Sequence, residues 1–212
     1  MKNFSFEVNG LFCGVATDDH DPDETVWKVK MAHKTWRSMI LFCYMTGDTD
    51  FNVCNEWLVF SNYKEWYLKN KKPDHSLDIH LIRKSQLYSP ETCIFTPKDI
   101  LYCFPFPEKT VTKSGGLLGT CKIKNRERWK AVHCRNFPSF IHIGTFDSEL
   151  EAHHAWLRYI ISECERKLNN YRPTNKYSNK YYNRKVYDNA VEKLDFLKNV
   201  LATGGVFEGE YA

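Results

Sequence analysis

Three strand-like runs, followed closely by an amphipathic segment, constrain the fold more than any other feature of the sequence. The runs cover residues 117–124, 128–136 and 139–146, and short turns at residues 125–127 and 137–138 separate them. Runs of this length that are joined by short turns are typical of antiparallel β-strands. The sequence therefore predicts a small three-stranded antiparallel sheet.

A helix is predicted directly after the third run. Ser148 is the expected N-cap, and Glu151, three residues later, completes a capping box. Apolar side chains then recur at spacings of three and four over residues 152–160, which predicts one buried helix face. Packing one helix against one face of the sheet buries the apolar face of the helix and that of the sheet together.

The rest of the chain predicts a mixture of helices and short strands. Residues 33–45 and 54–70 have the spacing of amphipathic helices, residues 77–95 resemble short extended segments, and residues 186–201 predict a last helix. The chain is therefore assigned to the α+β class. The predicted domains are residues 1–110, residues 111–171 with the three-stranded sheet, and residues 172–212, which form a basic linker, a helix and an acidic tail.

Alternation along the third strand assigns side chains to the two faces of the predicted sheet. Ile141 and Ile143 share the face that should meet the helix, whereas Phe140 and His142 lie on the other face. For the second strand, residues 128–136, the pattern does not fix which face points outward.

Positive charge is concentrated in the middle of the chain. Residues 111–185 contain 15 Lys or Arg against 6 Asp or Glu, a net charge of +9, whereas residues 1–110 and 186–212 carry −2 and −3. A basic segment between acidic ones is typical of a protein that binds a polyanion such as nucleic acid. A basic surface that is merely solvated is the alternative.

The candidate DNA contacts are the cations of the predicted sheet and one histidine. Arg side chains are suited to guanine edges, whereas Lys side chains mostly hold phosphate. Lys122 and Lys124 share a face of the first strand and can equally be solvated edge residues. The predicted contacts are Lys122, Lys124, Arg126, Arg128, Lys130, Arg135 and His142.

The second half of the chain resembles an AP2 domain, the small DNA-binding module of plant transcription factors and of phage-type homing endonucleases. The resemblance covers about residues 113–168. It is carried by Gly119, Trp129-Lys130-Ala131, residues 143–149 (IGTFDSE) and residues 151–156 (EAHHAW). It implies that the sheet lies in the major groove of double-stranded DNA and that the helix packs behind it.

The first half is similar to the N-terminal half of tailed-phage HNH-type endonuclease-like proteins, which carry an AP2 module behind it. The matching strings are residues 54–66 (CNEWLVFSNYKEW), residues 77–78 (LD) and residues 88–97 (YSPETCIFTP). Both halves occur in the same order, so the resemblance covers about residues 30–170. It implies a phage or prophage origin.

The nuclease motif that this resemblance implies is incomplete. Asp78 matches the Leu-Asp-x-Asp string of the phage relatives, but His80 replaces its second acidic residue. The Gly-Asn pair is missing from the next stretch, and the residues directly after Pro97, 98–101 (KDIL), lack the expected Asn. Asp78 and His80 remain the candidate catalytic residues and tentative metal ligands, and Mg²⁺ would be the cofactor if the site is active.

Three functions follow from these patterns. The leading prediction is a phage DNA-binding protein on an HNH/AP2 endonuclease scaffold with a degenerate nuclease site. An active Mg²⁺-dependent endonuclease or nickase is the second. The third is a phage inhibitor of a host nuclease or defence protein, with the acidic loop 18–24 and the Tyr-rich segment 176–182 as candidate contact surfaces. The longest apolar run, residues 39–45, is too short to cross a bilayer, so we expect no membrane partner and a location in the host cytoplasm.

Overall fold

The computed structural model describes residues 6–45, 50–79, 85–104, 116–136, 139–173 and 181–209. The chain divides into two compact units, Met1–Pro97 and Lys98–Ala212. We call them the N-terminal unit and the C-terminal unit and describe each by itself. The division into three domains at residues 110 and 171 stays a prediction.

Both units combine helices with short strands, as expected for the α+β class. The helices are α1 (Trp27–Met45), α2 (Phe60–Asn70), α3 (Lys98–Leu101), α4 (Glu149–Tyr171) and α5 (Arg184–Ala202). The strands are β1 (Glu7–Val8), β2 (Leu11–Phe12), β3 (Asn52–Val53), β4 (His75–Asp78), β5 (Leu87–Tyr88), β6 (Ile94–Pro97), β7 (Thr120–Lys122), β8 (Trp129–Asn136) and β9 (Ser139–Phe146).

Aromatic side chains form the core of the N-terminal unit. Trp36 of α1 is fully buried, and its indole N–H donates a hydrogen bond of 2.7 Å to the carbonyl oxygen of Trp57. The ring of Phe60 lies 5.5 Å from that of Trp36, and the ring of Tyr63 lies 5.0 Å from that of Trp57. The aromatic stripe of residues 57–66 therefore belongs to the core, as its helical spacing predicts.

The strands of the N-terminal unit form three two-stranded sheets. β1 and β2 make a hairpin through Asn9 and Gly10, whose φ angles of 53° and 77° suit a tight turn. β3 and β5 are parallel, and β4 and β6 are antiparallel with Asp78 opposite Ile94.

The C-terminal unit contains the predicted sheet, in the order β7-β8-β9, with both pairs antiparallel. Helix α4 packs against all three strands, and α5 packs on α4. The capping box is present: Ser148 Oγ accepts from the Glu151 N–H, and Glu151 Oε2 accepts from the Ser148 N–H, both at 3.2 Å. The predicted three-stranded sheet packed on one helix, followed by a C-terminal helix, is confirmed.

The register decides which face of β8 meets α4. Ala131 is fully buried and lies opposite Thr120 and Gly144, and the ring of His133 lies 5.4 Å from that of Tyr159 on α4. Cross-strand partners share a face, so this is the inner face of the sheet. Positions that alternate with these residues, including 130 and 132 on β8, belong to the outer face. The register therefore decides which face of β8 points outward, which the sequence pattern does not fix.

Candidate nucleic-acid interface

The turn between β7 and β8 concentrates positive charge on a short hairpin. The Ile123 N–H donates to the Arg128 carbonyl oxygen at 2.9 Å, and the Arg126 N–H donates to the Ile123 carbonyl oxygen at 3.2 Å. Asn125 takes φ of 62°, a left-handed conformation that Asn tolerates in turns. These bonds hold Lys124 and Arg126 exposed at the tip, which we call the basic hairpin (residues 122–130).

Two cations of the basic hairpin are paired with acidic neighbours. Lys122 Nζ lies 3.3 Å from Glu127 Oε2, and Arg128 Nε lies 2.9 Å from Asp147 Oδ1. The side chains of Glu127 and Asp147 are 94% and 85% exposed. Exposed ion pairs contribute about 0–1 kcal/mol, so exchanging these carboxylates for phosphate costs little.

Three further cations of the basic hairpin have no acidic partner among the side chains that the structure describes. Lys124, Arg126 and Lys130 are exposed, and none forms an ion pair with a side chain that the structure describes. The residues of the turn, 122–127, line an open concavity of about 350 Å³. The charge of this surface is therefore available to a polyanion.

The outer face of the sheet carries the remaining described candidates. Lys130 lies opposite Thr145, and His142 Nε2 lies 3.2 Å from Thr145 Oγ1. His142 is exposed, and Phe140, on the same strand, is 59% exposed. The assignment of Phe140 and His142 to the face away from the helix is confirmed.

The structure places five of the seven predicted contact residues in three regions. Lys124 and Arg126 lie on the turn, whereas Lys130 and His142 lie on the outer face. Lys122 lies opposite Trp129, whose position alternates with Lys130, and its Nζ lies 5.7 Å from the centre of the Trp129 ring. Lys122 therefore sits at the rim of the inner side. Arg128 immediately precedes β8, and the side chain of Arg135 lies outside the described part of the chain.

Buried and partly buried hydrogen bonds link α4 to β7 and to the turn before it. Glu149 Oε1 accepts from the Leu117 N–H at 2.7 Å and from Thr120 Oγ1 at 3.0 Å. His153 is fully buried; its Nδ1 lies 2.8 Å from the Leu118 carbonyl oxygen, and its Nε2 accepts from the Phe207 N–H at 3.0 Å. Burial lowers the pKa of His153, and a neutral ring is the form that satisfies both contacts.

Asp78, the predicted catalytic carboxylate, lies in a buried setting. It is 3% exposed, and its Oδ2 accepts a hydrogen bond of 3.0 Å from Thr96 Oγ1 on β6. Its predicted partner, His80, lies outside the described residues. Within those residues, no group of three or more His, Cys, Asp or Glu side chains is placed to hold a metal ion. The described donors do not make a Mg²⁺ site, and the assignment of Asp78 and His80 stays a prediction.

The acidic loop at residues 18–24 makes bonds within its own unit. Asp18 Oδ2 accepts from Arg37 Nη1 at 2.7 Å, and Asp18 Oδ1 lies 2.8 Å from His33 Nε2. Asp19 Oδ1 accepts from the Ser61 N–H at 2.9 Å. These carboxylates therefore hold the loop onto α1 and α2. Of the Tyr-rich segment, residues 176–180 lie outside the described residues.

Comparison with known proteins returned no relative. The chain matches no protein-family model, no curated protein and no solved structure. None of the described helices is long and apolar enough to span a bilayer. The AP2-like and HNH-like resemblances therefore rest on the sequence strings alone.

Proposed function

We propose that the chain is a phage DNA-binding protein on an HNH/AP2 endonuclease scaffold, with a degenerate nuclease site. The observation that carries the proposal is the basic hairpin, where Lys124, Arg126 and Lys130 are exposed without an acidic partner among the described side chains. The phage origin and a location in the host cytoplasm rest on the sequence resemblance.

The shape of the sheet suits a duplex. A two-stranded β-ribbon fits the major groove of B-DNA, which is about 12 Å wide. The basic hairpin is such a ribbon, and Lys130 and His142 extend its polar surface across the outer face of the sheet. Lys124 and Lys130 would hold phosphates, and Arg126 at the tip would have access to base edges.

The affinity should fall steeply with salt, because each Lys or Arg bound to phosphate releases condensed counterions. Three to five contacts predict a slope of roughly −2.7 to −4.5 in log K against log salt concentration, or a roughly 40- to 500-fold loss between 50 and 200 mM salt. Fluorescence anisotropy with a labelled duplex of mixed sequence measures this slope. Affinity that stays constant across this range would refute the assignment of the basic hairpin as the binding surface.

The degenerate nuclease site has a separate test. Asp78 is buried and hydrogen bonded to Thr96, a setting that supports a structural role for this carboxyl. We expect supercoiled plasmid to remain intact on incubation with the chain and Mg²⁺ or Mn²⁺, as in EDTA. Metal-dependent cutting that His80→Ala abolishes would establish the active endonuclease instead.

A further inference from the structure

Two aromatic side chains share the outer face of the sheet. Phe140 and His142 are two positions apart on β9, and β8 places Cys134 and Val132 opposite them. Between these pairs, His133 lies opposite Ile141 and contacts Tyr159 of α4 by its ring. Phe140 and His142 therefore point away from the helix, in agreement with their exposure.

Polar and charged groups continue this surface toward the basic hairpin. His142 Nε2 lies within hydrogen-bond distance of Thr145 Oγ1, at 3.2 Å, which restricts the orientation of the imidazole ring. Lys130 lies directly opposite Thr145 and is exposed. An exposed phenyl ring, an imidazole and an ammonium group thus follow one another across the outer face.

We infer that Phe140 and His142 form a stacking site for unpaired DNA bases, with Lys130 beside it for the phosphate backbone. The inference rests on the proposed function, since it assumes that this sheet contacts DNA. Aromatic rings on a strand face bind bases by stacking, and the site requires bases whose faces are accessible. Bases inside a duplex are already stacked on both faces, so the expected ligand is DNA with unpaired bases.

The expected gain in affinity for unpaired bases follows from the number of aromatic rings that stack. Stacking on an aromatic side chain changes affinity by roughly 5- to 150-fold per base. Phe140 is 59% exposed, and stacking on its ring should contribute one such factor to the affinity. The preference does not depend on base identity, because every base has a π-face.

The test compares three labelled DNAs with the full chain at one salt concentration: a 20-base-pair duplex, the same duplex with a two-adenine bulge, and one of its strands alone. We expect the bulged and single-stranded probes to bind at least fivefold more tightly than the duplex. A 2-aminopurine in the bulge should change its fluorescence on binding, which reports stacking directly.

Substitutions at Phe140 test whether this side chain causes the preference for unpaired bases. Phe140→Ala should remove the preference and leave duplex affinity within twofold, whereas Phe140→Trp should retain it. Leu150→Ala, which shortens an exposed apolar side chain on α4, is the matched control and should have no effect. Far-UV circular dichroism checks that each variant is folded.

Each outcome separates this inference from the proposed function. Equal affinity for the three DNAs, or a preference that persists in Phe140→Ala, would overturn the stacking site while leaving salt-dependent duplex binding in place. Failure to bind any of the three DNAs would overturn both.

Discussion

Gly119 is a position where even a small substitution should strongly destabilise the C-terminal unit. Its φ is +73°, and an added Cβ would lie 2.0 Å from Cγ of Trp156 on α4. Its carbonyl oxygen also accepts a hydrogen bond of 2.8 Å from the Val132 N–H on β8. Gly119→Ala therefore combines backbone strain with a clash at the contact between the sheet and its helix.

The expected cost has two parts. A left-handed conformation costs roughly 1–2 kcal/mol for a residue with a Cβ, and forcing a methyl group into a filled site costs about 1–3 kcal/mol more. We therefore expect Gly119→Ala to lower the free energy of unfolding of the C-terminal unit by about 2–5 kcal/mol.

Gly204→Ala is the matched control. Gly204 has a similar φ of +68°, but an added Cβ meets no heavy atom within 4 Å, so only the backbone cost applies. Urea unfolding followed by far-UV circular dichroism measures both variants, and an m-value of about 1–3 kcal/mol per molar urea converts the loss into a midpoint shift. Equal shifts for the two variants would refute the claim that Trp156 excludes a side chain at this position.

Three further predictions concern the same unit. Ser148→Ala should lower the free energy of unfolding by about 1 kcal/mol because it removes the N-cap of α4, whereas Ser38→Ala, inside α1, should cost less; thermal unfolding compares them. Burial lowers the pKa of His153, so the unfolded chain binds the extra proton and stability should fall as the pH drops below about 6.5, by at most about 1.4 kcal/mol per pH unit. Urea midpoints from pH 7.5 to 5 measure this loss, and a slope unchanged in His153→Gln would contradict it. Glu127→Gln should raise affinity for duplex DNA about two- to fivefold at low salt, because Lys122 loses its carboxylate partner; unchanged or weaker anisotropy binding would contradict this.

Local signals predicted the second half of the chain well. Three strand-like runs, the capping box of Ser148 and Glu151, and the apolar stripe after it are each short-range patterns, and together they define the sheet and α4. The first strand is shorter than predicted, Thr120–Lys122 instead of residues 117–124. The chain before it forms a turn with Gly119 in the left-handed region, and the chain after it forms the basic hairpin.

The start of α1 is predicted too late, because no standard N-cap residue directly precedes it, although Val29 and Ala32 continue the buried apolar spacing of Trp36 toward the N-terminus. The helix begins at Trp27, six residues before the predicted start at His33, and Trp27 is itself exposed. Glu24 accepts a hydrogen bond from the Val26 N–H at 3.0 Å just before the helix. A Glu in this position is not a standard capping signal, so it does not mark the start of the helix in the sequence.

The candidate interface depends on contacts that alternation alone does not determine. The sequence places Lys130 and Trp129 on opposite faces of β8, but the burial of Ala131 and the contact of His133 with Tyr159 on α4 decide which face is outer. Long-range bonds were likewise unpredictable: His153 joins Leu118 to Phe207 across more than 80 residues of sequence. Alternation alone assigns Phe140 to the outer face, whereas the register and the contact of His142 with Thr145 show that Lys130 continues that face.

The most direct measurement of the central claim is the salt dependence of duplex binding after removing the three cations of the basic hairpin that have no acidic partner among the described side chains. The variant Lys124→Ala/Arg126→Ala/Lys130→Ala should lower the steepness of the salt slope by about 2.7 and weaken binding at low salt. The control Arg166→Ala/Lys185→Ala/Lys198→Ala removes the same charge from α4 and α5, where all three side chains are exposed, and should leave the slope within about one of the wild-type value. Equal slopes for the two triple variants would contradict the account.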